Sequence, residues 1–167
     1  MCGIAGFWKQ SADHSAESLK QIATDMSNTL IHRGPDDSGT WVDPEVGIAF
    51  GHRRLSIIDI SEAGHQPMVS ADGRYVITYN GEVYNFQKLR HELEKKGHRF
   101  RGHSDTEVML TAFVQWGVEV SVKKFNGMFA FAVWDRRDGL LWLARDRIGE
   151  KPLYYGVKNN TFFFHRN

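Results

Sequence analysis

The chain has 167 residues, 41% hydrophobic and 25% charged, with a net charge of +1. That length fills one substantial core rather than two, and the balanced charge, with no long like-charge run, leaves no footprint for nucleic acid or an anionic membrane. One cysteine makes no intramolecular disulfide, no apolar run nears the ~20 residues that span a bilayer and no charged-then-apolar leader opens the chain, so a cytoplasmic protein is expected.

The cysteine is Cys2, directly behind Met1. If Met1 is removed, the new N-terminus carries a thiol and an α-amine on one residue, with ordinary pKa values of about 8.5 and about 7.7 to 8.0, so a nucleophile and its base arrive together. A retained Met1 would acylate the amine and leave a nearly inactive protein. The competing reading of Cys2 is a small hydrophobe at the start of a strand.

Ile4 to Trp8 is apolar with Gly6 inside it, which predicts a buried strand starting at Cys2. Between Ser15 and His32, Leu19, Ile22, Ala23, Met26 and Leu30 recur at three and four, predicting a helix stopped by Gly34-Pro35. The polar, glycine-punctuated segment 32–39 reads as a loop before a strand from Thr40 to Val42. Two short strands are expected over 46–50 and 55–58, separated by Gly51-His52-Arg53-Arg54 and followed by a loop to Gln66. Residues 74–79 predict another strand, and the Asn80-Gly81 pair after it reads, on spacing, as a hairpin turn.

Asn85 is the expected N-cap of a helix with Phe86, Leu89 and Leu93 on one face and Gly97 at its end. Ser104 with Glu107 makes a capping-box start for a second helix, through Met109, Ala112, Phe113 and Trp116 to Gly117. Asp105 then falls in a first helical turn, where a carboxylate complements the helix dipole. Past a polar stretch at Lys123-Lys124, residues 128–134 and 140–144 form a hairpin of buried strands, 146–152 a loop, and 153–157 with 161–164 a last strand pair. Strands in hairpin order with two or three helices make an α+β layered domain, its sheets mostly antiparallel and its helices packed outside.

No metal site is expected, because a lone cysteine and eight scattered histidines offer neither Cys-x-x-Cys nor a helical histidine pair. His32, His52, His65 and His103 read as surface or hydrogen-bonded loop residues. A Cys–His pair using His52 or His103 is the alternative to the amine as base. The loop 146–149 lacks the glycine pattern of a phosphate cradle.

Six ordered blocks, Cys2-Gly3-Ile4-Ala5-Gly6, 32–36, Arg54-Leu55-Ser56-Ile57, Tyr79-Asn80-Gly81-Glu82-Val83-Tyr84-Asn85, Ser104-Asp105-Thr106-Glu107 and 145–155, resemble the glutaminase domain of class II glutamine amidotransferases, most nearly the branch of glutamine-hydrolysing asparagine synthetases. The resemblance implies an N-terminal nucleophile hydrolase fold, a four-layer αββα sandwich of two mostly antiparallel sheets between helices. The whole chain, 1–167, would be one glutaminase domain, with the C-terminal synthetase domain absent from it.

The resemblance also implies the chemistry. Cys2 would attack the side-chain amide of L-glutamine, forming a γ-glutamyl thioester and ammonia, with its own amine moving the protons. Asn80, by its side chain, and Gly81, by its N–H, would make the oxyanion hole, the glycine leaving the substrate room to approach. Arg54 would grip the substrate carboxylate, Asp105 with Glu82 would hold the ammonium, and the blocks at 32–36 and 54–57, Ile57 included, would wall the pocket.

No cofactor is expected in this domain, ATP and magnesium belonging to the synthetase domain or subunit that would receive the ammonia, and a homodimer is allowed. Three other readings stand beside this one: a glutamine-binding regulatory module without turnover, an N-terminal-cysteine hydrolase of another amide, and an amidotransferase domain serving a sugar or polysaccharide precursor. The aromatic run Phe162 to Phe164 and the residues after it depart from the family, and that run is expected to sit against the missing partner.

Overall fold

The computed structural model describes residues 2–10, 15–55 and 64–166. In chain order these form β1 (Gly3–Lys9), α1 (Ala16–Asn28), β2 (Asp37–Asp43), β3 (Ile48–Arg54), β4 (Met68–Val69), β5 (Tyr75–Val83), α2 (Phe86–Lys95), α3 (Asp105–Trp116), α4 (Val118–Lys124), β6 (Gly127–Asp135), β7 (Leu140–Arg145), β8 (Tyr154–Lys158) and β9 (Thr161–Arg166). One sheet has the order β2-β3-β1-β9-β8 and the other β4-β5-β6-β7, with the paired strands antiparallel. Helix α1 lies on the first sheet, against β1, β2 and β3, and α3 lies on the second, with α2 and α4 beside it. The expected four layers are therefore present.

Both sheets are covered on two faces, so their central strands alternate between two apolar environments rather than between apolar and wet ones. Phe7 and Ala49 pack with Leu19 and Ala23 of α1. Ile48 and Phe50 turn the other way and meet Val76, Ala132, Trp134 and Phe164 between the sheets. On the far side, Tyr75, Ile77, Tyr79 and Val83 of β5 pack under Val108, Met109, Ala112 and Phe113 of α3.

Local polarity misleads in several places. The strand expected over 46–50 is β3, which runs straight on through Gly51 to Arg54, because those residues pair with β1 on one side and β2 on the other, and residues 56–58 of the second expected strand lie outside the described residues. His52, expected at a surface or in a loop, is 1% exposed. Asn80-Gly81 is no hairpin turn: β5 continues to Val83, with Asn80 opposite Ala130 and Gly81 opposite Phe129.

Strand β2 begins three residues before the expected Thr40, and the polar stretch before Phe125 holds the short helix α4. Asn85 stands at the start of α2, yet its side chain caps nothing there. It ties the helix to the end of α4, donating to the Lys124 carbonyl at 2.9 Å and accepting from the Asn126 N–H at 2.9 Å. Ser104 does cap α3, accepting from the Glu107 N–H.

The run Phe162 to Phe164 packs inward, Phe164 fully buried and Phe162 and Phe163 partly so. Phe162 and Phe164 face between the sheets, and Phe163 faces α1.

Candidate active site

Strand alternation assembles the site. In β1 the Trp8 side chain points between the sheets, its ring centroid 5.4 Å from that of Trp134, and a Cβ added at Gly6 would meet the Phe164 ring on that side, so Cys2 falls there too. In β3, Ile48, Phe50, His52 and Arg54 share it by the same period. In β5, Thr78 donates across to the Gly51 carbonyl at 3.4 Å, which puts Asn80 and Glu82 on the face toward β1 and β3. The start of β1, the end of β3 and the middle of β5 thus meet at one end of the sandwich, where α3 begins.

Cys2, Arg54, Asn80, Gly81, Glu82 and Asp105 all line one cleft there, of about 300 Å³. That is the small end of the roughly 300–1,000 Å³ found for small-molecule sites. Six of the seven residues expected to form the site are therefore brought together. Ile57 lies outside the described residues, as does Met1.

Cys2 is partly buried. Its Sγ lies 3.4 Å from the Leu55 N–H, which donates to it, and 3.7 Å from the Leu55 carbonyl. The same residue thus serves both protonation states: the carbonyl accepts from the thiol, and the N–H stabilises the thiolate. The Cys2 carbonyl accepts from Nη1 of Arg166 at 3.0 Å, which fixes the backbone that carries the thiol.

Asn80 is 4% exposed, and its Nδ2 is a buried donor without an acceptor among the described residues. Leaving such a donor unpaired costs about 1–3 kcal/mol, so an anion or carbonyl arriving in the cleft finds a donor already out of water. Gly81 supplies a second donor by strand geometry. The N–H groups of Tyr79 and Val83 point away from β6, to Gln66 Oε1 at 2.7 Å and to Asp105 Oδ2 at 3.0 Å. The period of two sends the Gly81 N–H to the same edge, between those two and into the cleft.

The reason for a glycine at 81 differs from the one expected. A Cβ there would stand 2.2 Å from the Met128 carbonyl oxygen and 2.6 Å from Phe129 Cα, so close approach of β6 requires glycine, rather than access for a substrate.

The charges are held by second partners. Burial raises the Asp105 carboxyl above its ordinary value, against the pull of the Tyr79 hydroxyl at 2.6 Å and the Val83 N–H, which favour the carboxylate. A cation bound in the cleft would offset that burial cost. Tyr79 is itself pushed well above the ordinary tyrosine range, first by burial and then by Asp105, so it stays a donor. Arg54 is 8% exposed, and Gly64 leaves it room, since a Cβ at 64 would lie 2.2 Å from its Nη2.

Sequence reasoning left out several groups of this cleft. Leu55 acts through its backbone, which no side-chain pattern reveals. Gln66, Tyr79, Thr106, Met128 and Lys151 also line it. Lys151 is 5% exposed, with an ammonium pulled below its ordinary value by burial and by Arg166. No histidine lines the cleft among the described residues, and Nε2 of His52 is spent on the Tyr79 carbonyl at 3.1 Å, which leaves no geometry for a Cys–His pair. Among the described residues no group of three or more His, Cys, Asp or Glu side chains gathers as a metal ion would need.

Residues 1–166 match the family model described as "Glutamine amidotransferase domain". The chain is 46% identical over 166 residues to asparagine synthetase [glutamine-hydrolyzing] 3 of Bacillus subtilis, covering 98% of this chain and 26% of that protein. It is 38% identical over 180 residues to a putative asparagine synthetase [glutamine-hydrolyzing] 2 of Methanocaldococcus jannaschii, covering 98% of this chain and 33% of that one. Among solved structures, a glutamine phosphoribosylpyrophosphate amidotransferase from B. subtilis superposes with a TM-score of 0.80 at 22% identity, over 98% of this chain and 41% of the other, which is a likeness of fold. The chain thus spans about a quarter to a third of the length of these curated relatives.

Proposed function

Because the chain belongs to the glutamine amidotransferase domain family, we propose that its cleft hydrolyses the side-chain amide of glutamine and supplies the ammonia to an ATP-dependent synthetase, as its asparagine synthetase relatives suggest. The observation that carries this reading is the unpaired, buried Nδ2 of Asn80 in one cleft with the Cys2 thiol, the Arg54 guanidinium and the Asp105 carboxyl.

With Met1 removed, the α-amine takes the proton from Sγ, which attacks the amide carbon. The oxyanion that forms is met by Nδ2 of Asn80 and the N–H of Gly81. The amine returns the proton to the departing nitrogen, and ammonia leaves a γ-glutamyl thioester. Water, deprotonated by the same amine, then cleaves the thioester to glutamate and restores the thiol. The Leu55 N–H stabilises the thiolate at the start and the end of the cycle. Arg54 receives the substrate carboxylate as a planar fork, and Asp105 with Glu82 receives the ammonium, so glutamine is read as an amino acid at one end and as an amide at the other. ATP and magnesium belong to the synthetase, and the cytoplasm is the compartment of the reaction.

The test is glutamate release from glutamine by protein whose N-terminus has been sequenced to Cys2. Cys2→Ala is expected to abolish turnover. Asp105→Asn is expected to raise KM roughly tenfold or more with a smaller effect on kcat, as loss of a ground-state contact does. Full activity in Cys2→Ala would refute the mechanism, and binding of glutamine without turnover by the Cys2-terminated protein would make it a regulatory module instead.

A further inference from the structure

The three most exposed large hydrophobic side chains among the described residues are Ile148 at 82%, Val157 at 73% and Tyr155 at 72%, all within ten residues of one another. Val157 and Tyr155 belong to β8, an edge strand that bonds, among the described residues, only to β9, and every residue of β8 is exposed. Edge strands of a stand-alone domain are normally guarded by charge, proline or a covering element. Here Lys158 is the one charge in the strand, and α1 covers the opposite end of the sheet, over β1 to β3.

The register shows which way the side chains face. Tyr155 lies opposite Phe164 and Val157 opposite Phe162, so both point to the inter-sheet side, Tyr155 stacking 6.0 Å from the Phe162 ring. The other sheet ends in β7, whose Leu141 and Leu143 lie opposite Trp134 and Ala132 and so point to the same inter-sheet side, and no residue of β7 is buried either. The sandwich is thus open along its β7–β8 flank, with apolar side chains lining the opening. Ile148 stands on the loop that joins the two strands.

That loop ties the flank to the cleft. Asp146 anchors it to β6, and Lys151, five residues further on, is a wall of the cleft that holds Cys2. A body seated on the flank would lie one loop away from the thiol.

We propose that the β7–β8 flank, with Tyr155, Val157 and Ile148 at its centre, is the docking face for the ammonia-accepting synthetase domain. The proposal rests on the reading of the cleft as a glutaminase. Its occupant is chosen by the relatives: 74% of the B. subtilis asparagine synthetase 3 lies outside the stretch this chain matches (100 − 26), and ammonia is useful only if the acceptor site is near its source. An exposed aromatic and aliphatic face contiguous with the site suits a lasting, apolar contact between such domains.

The experiment places this chain in the position of the matching quarter of the B. subtilis enzyme and compares the chimera with its Tyr155→Glu/Val157→Glu form. Both side chains are largely exposed in the isolated chain, so that chain should keep its melting temperature and its glutaminase rate with the two substitutions. In the chimera they should raise the glutamate released per amide formed by roughly tenfold, the size of losing one interface anchor, while ammonia-dependent synthesis is unchanged. Amide exchange gives a readout that needs no catalysis: the amides of residues 154–158, part of which already bond to β9, should exchange more slowly in the chimera than in the isolated chain. Equal exchange in the two, or unaltered coupling in the substituted chimera, would overturn the docking face. A dimer of the isolated chain that the same substitutions dissolve would assign the face to a second copy and overturn it too. Absence of glutaminase activity in the isolated, Cys2-terminated chain would strike at the reading of the cleft instead, and the exchange comparison would still decide the docking.

Discussion

Nδ2 of Asn80 is kept out of water with no acceptor among the described residues, while the Gly81 N–H beside it depends on a backbone with no room for a Cβ. The two residues should therefore respond oppositely to alanine. Asn80→Ala removes a donor that burdens the resting fold, so the urea midpoint is expected to hold or rise while kcat falls by about 10²–10³, the usual effect of losing one oxyanion donor. Gly81→Ala drives a methyl into Met128 and Phe129 of β6, so the midpoint should drop, with a loss of roughly 1–3 kcal/mol or more in unfolding free energy, together with activity. Equal loss of stability in both variants would show that Asn80 is a structural residue. Cys2, Arg54, Asn80, Gly81, Glu82 and Asp105, which line one cleft, were named together only through the resemblance of their blocks to a known family, since spacing alone makes Asn80-Gly81 a turn and Asp105 a complement to a helix dipole. The Leu55 N–H was not, since a backbone donor leaves no mark on residue type. The packing reason for Gly81 was hidden because its cause is a strand more than forty residues away in sequence.

Among the elements, the connection between β7 and β8 depends most on one side chain. Asp146 is 4% exposed, and its carboxylate accepts from the N–H groups of Phe129 at 3.2 Å, Glu150 at 2.9 Å and Lys151 at 3.0 Å. Burial opposes the charge, but those N–H groups hold the carboxyl below its ordinary range. Asp146→Ala leaves three donors to find water or go unpaired, and should lower stability by roughly 2–4 kcal/mol. Since Met128 and Lys151 are cleft walls on either side of this junction, kcat/KM should fall as well. Urea unfolding and steady-state kinetics on the same sample check both, and stability loss with unaltered kinetics would separate the loop from the site. The loop itself was legible from its glycine and proline. The strands through Gly51 to Arg54 and through Asn80-Gly81 were not, because a polar or turn-forming pair reads as a break until the neighbouring strands that pair with it are known.

At the scale of the whole molecule, an α+β layered domain followed from counting apolar strands and amphipathic helices and the four-layer sandwich from the family resemblance, but the sheet order followed from neither, because it depends on pairings such as β1 with β9 that join distant parts of the chain. The same assembly buries His52 between the sheets, where its ordinary titration becomes a property of the fold. The Tyr79 carbonyl can only accept, so the His52 proton sits on Nε2, and Nδ1 is buried without a partner among the described residues. Burial pushes its pKa down from the ordinary 6.5 to about 4, against smaller upward pulls from the Tyr79 carbonyl and from Asp37. Between those two values the unfolded chain binds the proton and the folded one does not, so stability from this group is full above pH 6.5 and falls as the pH drops toward 4. The loss across that window of about 2.5 pH units is about 3.5 kcal/mol at most, at about 1.4 kcal/mol per unit. Buried carboxylates such as Asp135 and Asp146, held below their ordinary value of 3.8, contribute their own loss below the histidine window. Replacing His52 by glutamine keeps a donor for the Tyr79 carbonyl and removes the titration. The variant's stability relative to the parent should therefore improve steadily from pH 7 to pH 4, read as the difference in urea midpoints at several pH values. A difference that stays constant over that range would mean that the inter-sheet histidine does not set the acid limit of this fold.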